Sequence, residues 1–181
     1  DPRPPRIPLS AKKTMELRSV ETIAKALQAA DIRYIVVGGL AVNAHDYQRF
    51  TNNADLFISL EFDNITRALH ALIAIGYRPL IPVSPEIFAK AENRTRWHEE
   101  KSMLVLRLWS DEHRRTPIDI FIDEPFDFDL EWKNVIHSSI GGVVKLPILS
   151  YNTLLQMKAE AGREKDLLDI SALKKLEPYR K

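Results

Sequence analysis

Four short stretches carry residue types that could do chemistry at workable spacing. Gly38-Gly39 lies between the apolar run Tyr34-Ile35-Val36-Val37 and the helix-like Leu40-Ala41-Val42-Asn43-Ala44-His45, so it reads as a strand-to-helix turn. Missing side chains there would let a phosphate approach backbone N–H groups at the positive end of a helix, and a tight turn alone would also require them. Asn53 and Asp55 stand two apart in the strand-like approach to Leu60, where a period of 2 puts both on one face with Phe57. Two such oxygen-bearing side chains can grip Mg²⁺ beside a triphosphate, since the ion takes one or two carboxylates and fills its shell with substrate oxygens. A polar strand edge shows the same pattern.

The third stretch is Pro117 to Asp123, in which Ile118, Ile120 and Ile122 alternate with Asp119, Phe121 and Asp123. With the isoleucines in a core, Asp119 can stand beside Asp55 if the two strands are neighbours; a solvated acid on an edge strand is the plainer reading. The fourth stretch, Met157 to Asp166, gathers Lys158, Arg163, Lys165 and Asp166 in a helix–turn region. Lys158 would meet a triphosphate as a point charge with help from Arg163, Asp166 orienting a basic side chain. Alternatively this is a charged helix face held by pairs such as Lys165 with Asp169. Arg94, Arg96, Lys101, Arg107, Arg114 and Arg115 make a locally basic middle region that could hold an RNA end or simply balance nearby acids.

Other chemistries find little support. His45, His70, His98, His113 and His137 show no zinc-ligand spacing, and His45 is expected to cap or pack near the glycine turn. There is no G-x-S-x-G elbow for a serine nucleophile. The absence of cysteine removes thiolate metal sites and Cys nucleophiles.

These residues need elements to position them. Apolar spacing predicts a helix from Met15 to Ala30, strands at Tyr34–Val37 and Ala54–Leu60, and a helix over Ile65–Ile75 ended by Gly76. Tyr77 to Pro85, with its three prolines, is an edge or a connection. Met103–Trp109 and Pro117–Asp123 read as an antiparallel hairpin, Val143–Leu149 as a short strand after Gly141-Gly142, and Asn152–Leu176 as helix broken near Gly162. Residues 1–14, with Pro2, Pro4, Pro5 and Pro8 among basic residues, form a disordered or artificially added lead-in; Met15 is a candidate natural start. Residues 15–181 are expected to make one domain.

The 181 residues are 45% hydrophobic, enough for a packed core, and 26 Lys+Arg against 25 Asp+Glu leave a net charge of +1. Any nucleic-acid or anionic partner must therefore use a local patch. No apolar run reaches the roughly 20 residues of a membrane helix, and no signal-peptide core is present, so no membrane partner and a cytoplasmic location are expected.

Taken together, YIVVGGLAVNAH, RFTNNADLFI, the W-x-x-E-K-x-M-x-V stretch from Trp97, IDIF and LLQMKAEAGREKDLLDISAL resemble, in order, the blocks of the nucleotidyltransferase superfamily with the polymerase-β-like fold. The resemblance is strongest to bacterial AbiEii/AbiGii-type proteins of toxin–antitoxin systems and covers most of residues 15–176. It implies a minimal α+β fold: a small mixed sheet flanked by helices, with C-terminal helices closing a cleft. It implies that Gly38, Gly39, Arg49, Thr51, Lys158 and Arg163 bind nucleotide. Positions Asn53, Asp55 and Asp119 would hold two Mg²⁺ ions, for transfer of a nucleoside monophosphate from NTP to an RNA, protein or small-molecule hydroxyl. The alternative is a non-catalytic nucleotide-binding module or a partner of an antitoxin protein. Asn53 departs from the resemblance, since the T-x-D-x-D pattern expects an acid there, as does Asp46, where the pattern has glycine. An amide offers one neutral carbonyl oxygen where an anion would bridge two cations. The substitution is compatible with an engineered change, a natural pseudoenzyme, or an active variant using another acid.

Overall fold

The structure is a computed structural model that describes residues 16–140 and 144–180. The lead-in at 1–14, Met15, Gly141, Gly142, Val143 at the start of the expected strand, and Lys181 lie outside the described residues. The elements run α1 (Leu17–Ala29), β1 (Tyr34–Val37), α2 (Gly38–Ala44), β2 (Ala54–Ile58), α3 (Phe62–Ala74) and β3 (Arg78–Pro79). There follow α4 (Pro85–Ala89), α5 (Ala91–Lys101), β4 (Val105–Trp109), β5 (Ile118–Phe121), α6 (Phe128–Trp132), β6 (Ile136–Ile140), β7 (Val144–Ile148), α7 (Tyr151–Ala161) and α8 (Glu164–Leu176). A short 3₁₀ turn at Glu177–Tyr179 follows.

The strands form one mixed sheet of order β3-β4-β5-β2-β1-β7-β6, with β2 parallel to β5 and β1 parallel to β7. The fold is thus α+β, as expected from the sequence. Alternation does the sorting. Leu56, Ile58, Leu106, Leu108, Ile118 and Ile120 are buried in the core. Helices α1 and α3 pack together over the sheet, turning inward Val20, Ile23 and Leu27, and Ile65, Leu69 and Leu72. The expected hairpin is present, β4 against β5. The proline-rich 77–85 stretch yields only the two-residue edge strand β3 and the start of α4.

Two polar anchors aim the elements that matter for the cleft. Asn64, in the first turn of α3, accepts from Arg33 N at 3.0 Å and donates to Ser59 O at 2.9 Å, pinning α3 to the outer ends of β1 and β2. Glu131 of α6, buried, accepts from Ser150 N at 3.0 Å and Thr153 Oγ1 at 2.7 Å, capping the first turn of α7. α7 ends at Gly162, whose φ of 61° gives the left-handed turn from which α8 departs.

Candidate functional site

Strand register builds one wall of the site. Val37 is paired with Asp55, Asp55 with Asp119 and Asp119 with Arg107, so one row crosses β1, β2, β5 and β4. Residues in register share a face, which brings the two carboxylates and the guanidinium side by side. Arg107 grips Asp119 with both ends of its fork, Nε to Oδ1 at 2.7 Å and Nη2 to Oδ2 at 2.7 Å. Asn53, just before β2, donates from one Nδ2 to Asp55 Oδ1 at 2.6 Å and to Asp119 Oδ2 at 3.0 Å. Beyond this row the same face is aromatic, Phe57 making edge contacts with Phe121, Phe126 and Phe128.

Val37 leads straight into the glycine pair. Gly38 has φ 64°, and a Cβ there would stand 2.1 Å from Asp55 Oδ2; a Cβ on Gly39 would stand 2.5 Å from Thr51 Oγ1. The missing side chains are therefore required first by β2 and the segment before it, whose Asp55 and Thr51 fill that space.

Helices α7 and α8 supply the opposite wall. Lys158, only 6% exposed, sends Nζ to Asp166 Oδ1 at 3.1 Å and Asp169 Oδ2 at 3.0 Å. Asp166 also accepts from Arg163 Nε at 2.6 Å, and Asp169 from Arg49 Nη2 at 3.0 Å. Arg49 Nε lies 2.8 Å from Asp169 Oδ1 without the alignment of a hydrogen bond. Between the walls lies a cleft of about 470 Å³ lined by Gly38, Asp55, Asp119, Lys158, Arg163 and Asp166, with an apolar side made by Leu104, Phe121, Leu154 and Met157. A roomier hollow of about 710 Å³ beside α1 brings together none of the candidate residues.

Electrostatics differ across the cleft. Burial, and then the Asp119 carboxylate beside it, push Asp55 up to about 6, against the pull of Asn53, Lys158 and Lys165. Burial would raise Asp166 too, yet hydrogen bonds from Arg163 and Lys158 carry it below its ordinary range. The pair with Asp119 raises Arg107, and the bond to Asp166 raises Arg163.

The wall does not fit a pair of Mg²⁺ ions. The ion needs a near-octahedral oxygen shell. Here three of the four oxygens of Asp55 and Asp119 already accept hydrogen bonds from Asn53 and Arg107, and Asn53 Nδ2 stands between the two carboxylates. Turned over, the Asn53 amide would set its oxygen against both carboxylates, an arrangement only a cation would stabilise. Among the described residues no three His, Cys, Asp or Glu side chains come together as a metal cluster.

The structure thus brings Asp55, Asp119, Gly38, Lys158 and Arg163 to one cleft, with Asn53 off its lining but bonded to both aspartates. Arg49 and Thr51 are not on its lining; they sit behind Gly39, Arg49 bracing α8 and Thr51 buried with Oγ1 donating to Asn53 O at 3.2 Å. Lys165 is exposed, and Asp169 faces inward to Lys158 and Arg49 in place of the Lys165 pairing that sequence suggested. His45 is buried at the end of α2 with Nε2 2.7 Å from Leu149 O, and burial lowers its basicity. Sequence reasoning missed Arg107 as a site residue. The signal was present: with Leu106 and Leu108 inward, Arg107 must share the face of Asp119 across the hairpin.

No family model matches the sequence, and no curated protein sequence matches it. Among solved structures the chain is similar to the lincosamide antibiotic adenylyltransferase LnuA in its lincomycin-bound form, at 16% identity and a TM-score of 0.56 over 89% of this chain and 98% of that one. It is similar to a Thermotoga maritima protein assigned to the nucleotidyltransferases, at 14% identity and a TM-score of 0.55 over 91% and 93% of the two chains. The antibiotic-resistance factor ANT(2'')-Ia matches at 11% identity and a TM-score of 0.54 over 87% and 81%. At these identities the likeness establishes the fold, which is nucleotidyltransferase-like.

Proposed function

We propose that the cleft binds a nucleoside triphosphate and that the chain's reaction class is transfer of the nucleoside monophosphate to a hydroxyl, weakened by Asn53. One observation carries this reading: in a nucleotidyltransferase-like fold, two aspartates locked in register by parallel strands face a buried lysine and an arginine across one cleft. Lys158 donates one N–H to Asp166, lies within ion-pair distance of Asp169, and with Arg163 offers the phosphates positive charge. The apolar side at Leu104, Phe121, Leu154 and Met157 is suited to a base or an apolar acceptor.

In the transfer step the acceptor oxygen attacks the α-phosphorus in line, the bond to the pyrophosphate oxygen breaks, and pyrophosphate leaves. The hydroxyl proton passes to Asp55 Oδ2, the carboxylate oxygen of the row that no side chain among the described residues hydrogen-bonds. Held near 6, Asp55 is ionised at neutral pH yet basic enough to take that proton. The acceptor is an RNA, a protein or a small molecule. The likeness to an antibiotic adenylyltransferase favours testing hydroxylated small molecules first, while the AbiEii-type resemblance brings in an antitoxin protein as partner. The reading treats residues 15–181 as one domain at work in the cytoplasm; among the described residues no helix is long and apolar enough to cross a membrane.

A second reading, a non-catalytic nucleotide-binding or antitoxin-partner module, is favoured by the occupation of both acids by Asn53 and Arg107. Calorimetry with each NTP, and transfer of α-³²P label onto RNA, protein and lincosamide pools, separates the two. The first reading expects binding, slow transfer, and faster transfer by Asn53→Asp. Binding without transfer by either form supports the second, and no binding overturns both.

A further inference from the structure

We infer that Arg107 stands in for a divalent cation: the cleft receives a nucleotide's phosphates on the guanidinium that Asp119 holds, with no metal ion between them. The ligand half of this inference rests on the nucleotide reading; the cation half stands on the cleft alone.

The position is right. Arg107 is not itself on the lining, but it reaches Asp119 from the neighbouring strand, in register, and the two-point grip at 2.7 Å fixes the guanidinium on a carboxylate that lines the cleft. The donors are sufficient. Two of the five guanidinium N–H groups serve Asp119, and among the described residues Nη1 has no partner, while the side chain is 49% exposed. A guanidinium bound to a carboxylate on one edge can bind phosphate oxygens on another, and its planar fork suits both. This is the electrostatic role a metal has between acids and phosphates.

The charge is right as well. The row and the helix wall hold four acids, Asp55, Asp119, Asp166 and Asp169, matched by Arg49, Arg107, Lys158 and Arg163. A cleft that needs metal would carry surplus carboxylates for the ions to neutralise; this one is balanced by its own side chains. Asn53 completes the change. An acid at 53 would bring a third carboxylate against Asp55 and Asp119, whereas the amide places its N–H₂ between them. The Asn53 amide and the Arg107 fork are therefore a matched pair, each removing a reason for a cation to bind.

The test uses Mn²⁺ followed by electron paramagnetic resonance on the intact chain, and separately ATP by calorimetry in EDTA and in Mg²⁺. The wild type is expected to bind no Mn²⁺ that is lost in Asp55→Asn. Asn53→Asp combined with Arg107→Ala is expected to gain a site, with at least a tenfold rise in Mn²⁺ affinity. ATP is expected to bind the wild type equally in EDTA and Mg²⁺, within about threefold, and at least tenfold more weakly in EDTA when Arg107→Ala is introduced. Arg107→Gln, which keeps a donor for Asp119, serves in its place if the alanine variant melts early. Mn²⁺ bound by the wild type through Asp55, or ATP binding that requires Mg²⁺, overturns the inference. If ATP binds in neither condition, the nucleotide reading and the phosphate half fall together, and the Mn²⁺ comparison still decides the cation half.

Discussion

The two walls of the cleft are held in place by different physics. On the sheet wall, Val37, Asp55, Asp119 and Arg107 are positioned by backbone hydrogen bonds of four strands. On the helix wall, Lys158 and Arg163 are positioned by carboxylates, Asp166 at 0% exposure and Asp169 at 2%. A sheet position outlasts the loss of its side chain, because the ladder does not depend on it. A buried ion network does not, since each member is the solvation of the others. Substitutions on the sheet wall should therefore change what the cleft binds, and those on the helix wall should first change whether the protein folds.

The sharpest break of this contrast is Asp166→Ala. It strips Lys158 of one of its two anions and α8 of the carboxylate that accepts from Arg163 N at 3.3 Å in its first turn. Breaking a buried pair from one side typically costs about 3–5 kcal/mol, and a loss of that size is expected from urea unfolding. A loss under about 1 kcal/mol, the range of a surface pair, would make the two walls alike.

Gly38→Ala tests the point where the sheet wall is least forgiving. The left-handed φ of 64° and the 2.1 Å approach to Asp55 Oδ2 act together, and a cost of about 2–3 kcal/mol is expected. Combining it with Asp55→Gly removes the clash and leaves the backbone strain. The double variant should therefore recover stability relative to the sum of the singles in a double-mutant cycle; strict additivity would show that Asp55 is not what confines Gly38.

The walls also differ in how legible they were. Strand phase put Asn53 with Asp55 and set Asp119 opposite Ile118, Ile120 and Ile122, because alternation is a local property, but that the two strands are neighbours came only with the observed pairing. The hairpin gave Arg107 its face as well, yet its role became visible only with the register that sets it against Asp119. The helix wall was harder. Lys158, Asp166 and Asp169 span a helix break, so their meeting depends on the angle at Gly162, which no periodicity encodes. Short elements escaped for a related reason: α4 has 5 residues and α6 has 5, too few to show a period, and β6 (Ile-His-Ser-Ser-Ile) lacks an apolar alternation.

Arg49 joins the walls. It leaves the segment before β2 and meets Asp169 on α8 while donating to Phe50 O at 2.9 Å. Its side chain is 24% exposed and Asp169 keeps Lys158 as a second cation, so Arg49→Ala should cost only about 1–2 kcal/mol in urea unfolding. ATP affinity should fall more than stability accounts for, because α8 loses its tie to the sheet. Affinity unchanged at saturating folded protein would assign the positioning of α8 to Lys158 alone.

The smallest effect expected has the opposite sign. Asp55 titrates in the folded protein at about 6 against an ordinary value of 3.8. Between those values the folded state binds more protons than the unfolded chain, so this group's contribution to stability declines as pH rises from about 4 to about 6 and stays level above. A shift of that size corresponds to at most roughly 3 kcal/mol. Asp55→Asn removes the charge that burial and Asp119 disfavour, at the expense of the charged acceptor for Asn53 Nδ2 at 2.6 Å. The net gain at neutral pH should be on the order of 1 kcal/mol. Urea unfolding of both forms at intervals from pH 4 to 8 reads it directly. The variant's advantage should grow through pH 4 to 6 and then hold constant. An advantage independent of pH, or a loss at every pH, would mean that the sheet wall holds Asp55 charged at no cost, as the helix wall holds Asp166.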